Sequence, residues 1–243
     1  MSQVEWGLLL LAIMSSAVTS ALGAGGGLML LVGLPNLVAA PLVIPIHGVS
    51  CLVSNFSRLA IDWRMVPWQK VMLPYLPGAL IGGVLGYFAL GRFSVAFLPI
   101  ILGVFILLVT WTQWVQRFGM WLHNMSLLGG VQTFFALFVG TLGWLSAPIL
   151  LQKGLKKDQV IVTQSAIMGL MNTLKVIVFV AAGFAYLQHS ALILIMLVGA
   201  LFGNLLGRVL RTRINEKIGV QVIRWVISVL AIQLIVMTII KLT

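Results

Sequence analysis

Lys175 lies inside the apolar run 159–182, and an ionisable side chain within such a run is a functional candidate. Gln164, Met168, Asn172 and Lys175 recur at steps of four, four and three, so a helix places them on one face. An ammonium beside two amides is equipment for holding an anion. Two structural readings compete with that one. Lys175 stands about 12 Å of helix before Gly183, so its stem is long enough to snorkel partway to an interface. It also has the option of another buried pairing.

A second polar face lies on the run 36–57. His47, Ser50, Cys51, Ser54 and Arg58 share one side of a helix, with Asn55 beside them. Lipid does not solvate such groups, so this face points into a bundle. Helix–helix glue by serine and asparagine is the structural reading, and a substrate pathway is the functional one.

Catalysis finds little support. Ser146 and Ser165 lack a Gly-x-Ser-x-Gly setting, and no buried acid accompanies His47, so no catalytic residue is assigned. His47, His123 and His189 lie far apart, and Cys51 is the only cysteine. No metal set, cofactor motif or intrachain disulfide is expected.

The acids narrow the substrate. Glu5, Asp62, Asp158 and Glu216 all fall at segment ends or in loops, leaving no mid-membrane carboxylate for a cation or coupled proton. Anions use helix N-termini, amides and hydroxyls instead. Gly25, Gly26 and Gly27 precede the short run Leu28–Val32 and are placed to supply such an N-terminus; Ser146 adds a hydroxyl from the other half. A membrane potential of about 2.3 kcal/mol per charge per 100 mV drives anions out of a cell with a negative interior.

The elements that must hold these residues are membrane helices. The 243-residue chain is 61% hydrophobic and 8% charged, far below the roughly 25% charge of soluble domains. Its net charge of +11 sits mainly in loops, as a topology signal does, so nucleic acid is not an expected partner. No removable leader is evident at the first apolar run. Apolar segments run over 6–32, 36–57, 70–90, 94–116, 124–152, 159–182, 190–208 and 219–240, with Trp6, Trp63, Trp68, Trp114 and Trp121 near their ends. Glycine costs about 1 kcal/mol per helical position, so Gly23-Ala24-Gly25-Gly26-Gly27 predicts a break in the first segment.

Sliding the chain by 121 residues superposes Gly78-Ala79-Leu80, Gly82 and Gly86 on Gly199-Ala200-Leu201, Gly203 and Gly207. It also sets Ser54 against Lys175, Cys51 against Asn172, and His47 against Met168. The expected organisation is two repeats, 1–121 and 122–243, each of four segments. If all eight segments span, basic residues divide with little bias between the sides. If segments one and five are hairpins broken near Gly23–Gly27 and Gly140–Pro148, every loop Lys and Arg except Arg92 and Lys241 shares one side. The rule that places these residues in the cytoplasm favours inverted repeats, with both termini outside. The weakness is that Trp6 to Leu22 is nearly long enough to cross alone.

The run Gly23 to Pro35, the polar-faced helix after it, Ile61-Asp62-Trp63-Arg64 and the glycine-rich Pro77–Gly86 together resemble the TauE/SafE sulfite exporter family. Val198–Gly207 with its basic loop echoes the pattern in the second half. The resemblance covers nearly the whole chain and implies a bacterial inner-membrane transporter of sulfite, sulfonate or thiosulfate, usually an exporter. Gly140-Thr-Leu-Gly-Trp-Leu-Ser-Ala-Pro148 departs from the family's second glycine-rich break, so the two breaks are expected to be inequivalent.

These readings combine into an all-α polytopic protein that moves a small anion by alternating access with a midplane site. Import of the same ligands, or an accessory protein that kept the fold without transport, are the alternatives. Lipid bilayer and small anion are the expected partners, and homodimer formation is left open.

Overall fold

The computed structural model describes residues 2–23, 25–90, 98–112, 124–211 and 216–242, and every regular element among them is helical. In chain order these are α1 (Gln3–Leu22), α2 (Gly26–Gly33), α3 (Ala40–Asp62), α4 (Leu73–Leu90), α5 (Leu98–Trp111), α6 (Met125–Val139), α7 (Ser146–Gln152), α8 (Lys157–Ala181), α9 (Ser190–Leu210) and α10 (Glu216–Leu242). Six helices among the described residues are long and apolar enough to cross a membrane. The protein is a multi-pass membrane protein. Arg92, Trp114, Arg117, Trp121, His123 and Arg213 lie outside the described residues.

The first apolar segment is two helices, divided at the glycine cluster. Ser2 and Glu5 open α1 with reciprocal bonds between side chain and backbone, at 2.8 and 3.3 Å. Gly23 closes it at φ 81°, a left-handed conformation that favours glycine. Gly25, at φ 97°, precedes α2. The short helix then runs back along the long one: Gly26 lies on Ser15 and Thr19, Gly33 on Leu11, and Leu37 on Gly7. A Cβ at Gly26 would overlap the Ser15 carbonyl, so only glycine allows this approach. Leu37, just after the short helix, thus lies beside Gly7 near the start of α1.

The fifth segment is broken too. Asn124 caps α6, its Oδ1 accepting from the Ser126 and Leu127 amides at 2.9 and 3.3 Å. Gly140, at φ 83°, ends the helix, and a 3₁₀ turn at Gly143–Leu145 leads into α7. The 15 residues of α6 rise about 22 Å, short of a hydrocarbon core of ~30 Å. The 20 residues of α1 reach about 30 Å. The two broken segments thus differ in length.

The chain forms two compact units, each drawing on both halves of the sequence. Unit one takes Met1–Ser50, Ser94–Trp111 and Leu187–Thr243; unit two takes Cys51–Phe93 and Thr112–Tyr186. In unit one α9 packs on α1, with Gly199, Gly203 and Gly207 against the carbonyls of Leu9, Ile13 and Ala17. Also in unit one, α10 packs on α5, where Trp111 Nε1 donates to Ser228 Oγ at 2.7 Å. In unit two α4 packs on α6, with Gly78 and Gly82 against the carbonyls of Ser126 and Gly130. Lipid supplies no hydrophobic drive between helices, so close backbone approach at small residues does the work. Leu194, Phe202 and Leu205 on α9, and Ile81, Val84 and Phe88 on α4, face outward as a lipid solvent permits.

The two glycine packings share a spacing. Gly199 and Gly203 stand 121 residues after Gly78 and Gly82, while the backbones they meet, at Ser126 and Gly130, stand 117 after Leu9 and Ile13. Gly140 likewise follows Gly23 by 117. The breaks absorb most of the difference: Gly23–Gly25 separates α1 from α2, and the longer Gly140–Leu145 separates α6 from α7.

Candidate functional site

The predicted residues divide between the two units. Gly25, Gly26, Gly27, His47 and Ser50 belong to unit one; Ser54, Asn55, Ser146, Gln164, Asn172 and Lys175 belong to unit two. His47, Ser50, Ser54, Asn55, Ser146, Gln164, Asn172 and Lys175 are all buried.

In unit one, the break between α1 and α2 is held by α3. His47 Nε2 lies 3.0 Å from the Gly27 carbonyl. A carbonyl only accepts, so the ring carries a proton on Nε2. The first helical bond of α2 runs from the Met29 amide to the Gly25 carbonyl at 3.0 Å. The amides of Gly26, Gly27 and Leu28 therefore form the N-terminal turn and have no partner within the helix, as at every helix start. Ser50 is buried further along α3.

In unit two, the break between α6 and α7 is surrounded by side chains. Ser146 Oγ and Gln164 Nε2 both donate to the Gly143 carbonyl, at 2.6 and 2.9 Å. Lys175 Nζ donates to the Gly140 carbonyl and, at 2.9 Å, to Asn172 Oδ1. Asn172 Nδ2 donates on to the Met168 carbonyl at 2.8 Å, and the Met168 side chain packs over Gly143. The spacing puts Gln164, Met168, Asn172 and Lys175 on one face of α8, and that face meets the break.

On the unit-two part of α3, Asn55 Nδ2 donates to the Cys51 carbonyl at 2.7 Å. Arg58 donates from Nη2 to Asn55 Oδ1 at 2.5 Å and from Nε to the Ser54 carbonyl at 3.2 Å. Cys51 lies within electrostatic range of both Lys175 and Arg58. Phe56 of α3 lies against Gly169 of α8, so these two helices meet inside unit two.

Electrostatics single out Lys175. It is fully buried, and among the described residues no carboxylate pairs with it. Its partners are neutral oxygens. Gly140 ends α6, where the helix dipole places partial negative charge, so a cation there is favoured. Neutral partners offset only part of the desolvation cost of a buried charge. No group of side chains able to hold a metal ion occurs among the described residues.

Among the buried polar residues of unit two that escaped the sequence reading are Tyr75, Gln132 and Thr133. Gln132 Nε2 donates to the Leu142 carbonyl at 2.8 Å, holding the same break from the α6 side. The signal was present as a Gln-Thr pair within the apolar run 124–152, where polar groups need partners.

A family model described as "Sulfite exporter TauE/SafE" matches residues 8–237. No curated protein and no solved structure gives a match. The matched stretch takes in both broken segments, both glycine-packed helix pairs and the polar faces of α3 and α8. The chain belongs to the TauE/SafE sulfite exporter family, a family of membrane transporters.

Proposed function

We propose that the protein moves a small oxidised sulfur anion, such as sulfite, a sulfonate or thiosulfate, across a bacterial inner membrane by alternating access. One observation carries this reading: the buried ammonium of Lys175 faces neutral oxygens at a helix break, with no carboxylate beside it among the described residues. Lys175, Asn172, Gln164 and Ser146 supply the site in unit two. Gly25, Gly26, Gly27, His47 and Ser50 supply the helix N-terminus and its support in unit one, while Ser54 and Asn55 line α3.

The same reading makes the fold an inverted repeat, with re-entrant first and fifth segments and the basic loops in the cytoplasm. The common spacings of the glycine packings and of Gly23 and Gly140 support it, as does the return of α2 along α1. Export down the membrane potential then needs no coupling ion, since each negative charge gains about 2.3 kcal/mol per 100 mV.

Flux into proteoliposomes tests the substrate class. Sulfite, thiosulfate and sulfoacetate are expected to move faster than chloride, with flux that responds to an imposed potential. Chloride moving as fast as sulfite, or charged-substrate flux insensitive to potential, contradicts the proposal.

A further inference from the structure

The polar trio missed by sequence carries unused hydrogen-bonding capacity inside unit two. Tyr75 and Gln132 are fully buried and Thr133 is 1% exposed. Because the Leu142 carbonyl only accepts, the Gln132 amide must turn its nitrogen there, and Oε1 is the atom left over. Oε1 has no partner among the described residues. The Tyr75 and Thr133 hydroxyls lie beside each other, yet neither makes a hydrogen bond of good geometry. An unmet buried polar atom costs about 1–3 kcal/mol, and here three occur together.

Packing does not require them. The spacings of 117 and 121 set Gln132, Thr133 and Tyr75 against Ser15, Ser16 and Met196 of unit one, which are equally buried but smaller or apolar. Gln132 and Lys175 meet at the same break, where they hold the carbonyls of Leu142 and Gly140, two residues apart. The methyls of Thr133 and of Val178, three residues after Lys175 on α8, both border Gly83 of α4.

We propose that Tyr75, Thr133 and Gln132 complete the anion site of Lys175 and read the protonation of its ligand. This rests on the function proposed above. Lys175 spends two of its three N–H groups on Gly140 and Asn172. The third, with the two hydroxyls, makes three donors, and Gln132 Oε1 makes one acceptor. That set complements a three-oxygen anion that retains one proton, of the hydrogensulfite type. A fully deprotonated dianion, or a sulfonate without a proton, would set an oxygen against Oε1.

Sulfite flux in proteoliposomes, with melting followed in detergent, tests this. Thr133→Val and Tyr75→Phe each delete a buried hydroxyl that makes no hydrogen bond of good geometry, so melting is expected to hold or rise. The half-saturating sulfite concentration is expected to rise about tenfold or more in each, the worth of a hydrogen bond to a charged ligand. Methanesulfonate is expected to compete with labelled sulfite less well than unlabelled sulfite does, though better than chloride. Unchanged half-saturation in both variants, while Lys175→Gln loses flux, overturns the trio and leaves the Lys175 site standing. Lost flux accompanied by a lowered melting temperature assigns the hydroxyls to the fold and also overturns it. Full flux in Lys175→Gln is a different failure, that of the anion-site reading itself.

Discussion

Lys175 donates to the carbonyl of Gly140, the residue whose left-handed backbone ends α6. One interaction thereby joins the buried cation of α8 to the break in the fifth segment. The lysine neutralises the dipole at the end of α6, and the break keeps the lysine from snorkelling. Of the readings open to Lys175 from sequence, snorkelling is the one the structure removes, because the side chain is fully buried.

Removing that cation is expected to change stability little. Lys175→Met deletes a costly buried charge but strands the Gly140 carbonyl and Asn172 Oδ1. The two effects oppose each other, each worth about 1–3 kcal/mol, so the net shift is expected within about 2 kcal/mol. Lys175→Glu sets a carboxylate against those same oxygens and is expected to prevent folding. Thermal unfolding in detergent measures both, and a Glu variant that melts like the parent contradicts the geometry.

Gly82→Ala and Gly203→Ala are expected to destabilise alike. A Cβ at either position meets a facing backbone carbonyl, of Gly130 or of Ile13. Overpacking of this kind costs about 1–3 kcal/mol. Comparable drops in melting temperature support equivalent packing in the two units. One harmless variant beside one severe variant argues against it.

The first hairpin depends on His47. His47→Phe keeps an aromatic ring but removes the Nε2 donor to the Gly27 carbonyl. A loss of about 1–3 kcal/mol is expected from the stranded carbonyl. His47→Gln retains an N–H donor and is expected to recover part of it. Identical melting of the two variants would separate His47 from the hairpin.

Much of this architecture is readable in the residues, and the parts that are not have physical causes. Gly23–Gly27 announces its break because four glycines in five positions are costly in any helix. Gly140 is a lone glycine whose left-handed backbone shows only in three dimensions. The offset of 121 aligns the segments after the breaks but slips by one helical turn before them. The common spacing of 117 between the backbones that the glycines meet on α1 and α6 is therefore invisible until their glycine-bearing partners are seen. Periodicity sufficed for Gln164, Asn172 and Lys175, because all three lie on one helix. Tyr75 and Gln132 come from different helices, and no spacing along the chain brings them together.

Topology separates inverted repeats from eight full spans. In a Cys51→Ser background, single cysteines replacing Arg117 and Lys157 are expected to label from the same side, since a re-entrant fifth segment returns the chain where it entered. Labelling from opposite sides means that the segment crosses.

The central claim is that the Lys175 charge holds the transported anion, and sulfite flux into proteoliposomes bearing Lys175→Gln tests it most directly. The account predicts at least a hundredfold loss with a melting temperature near the parent's, corresponding to about 2.7 kcal/mol or more of lost interaction. Flux within twofold of the parent, from a protein equally well folded, contradicts it.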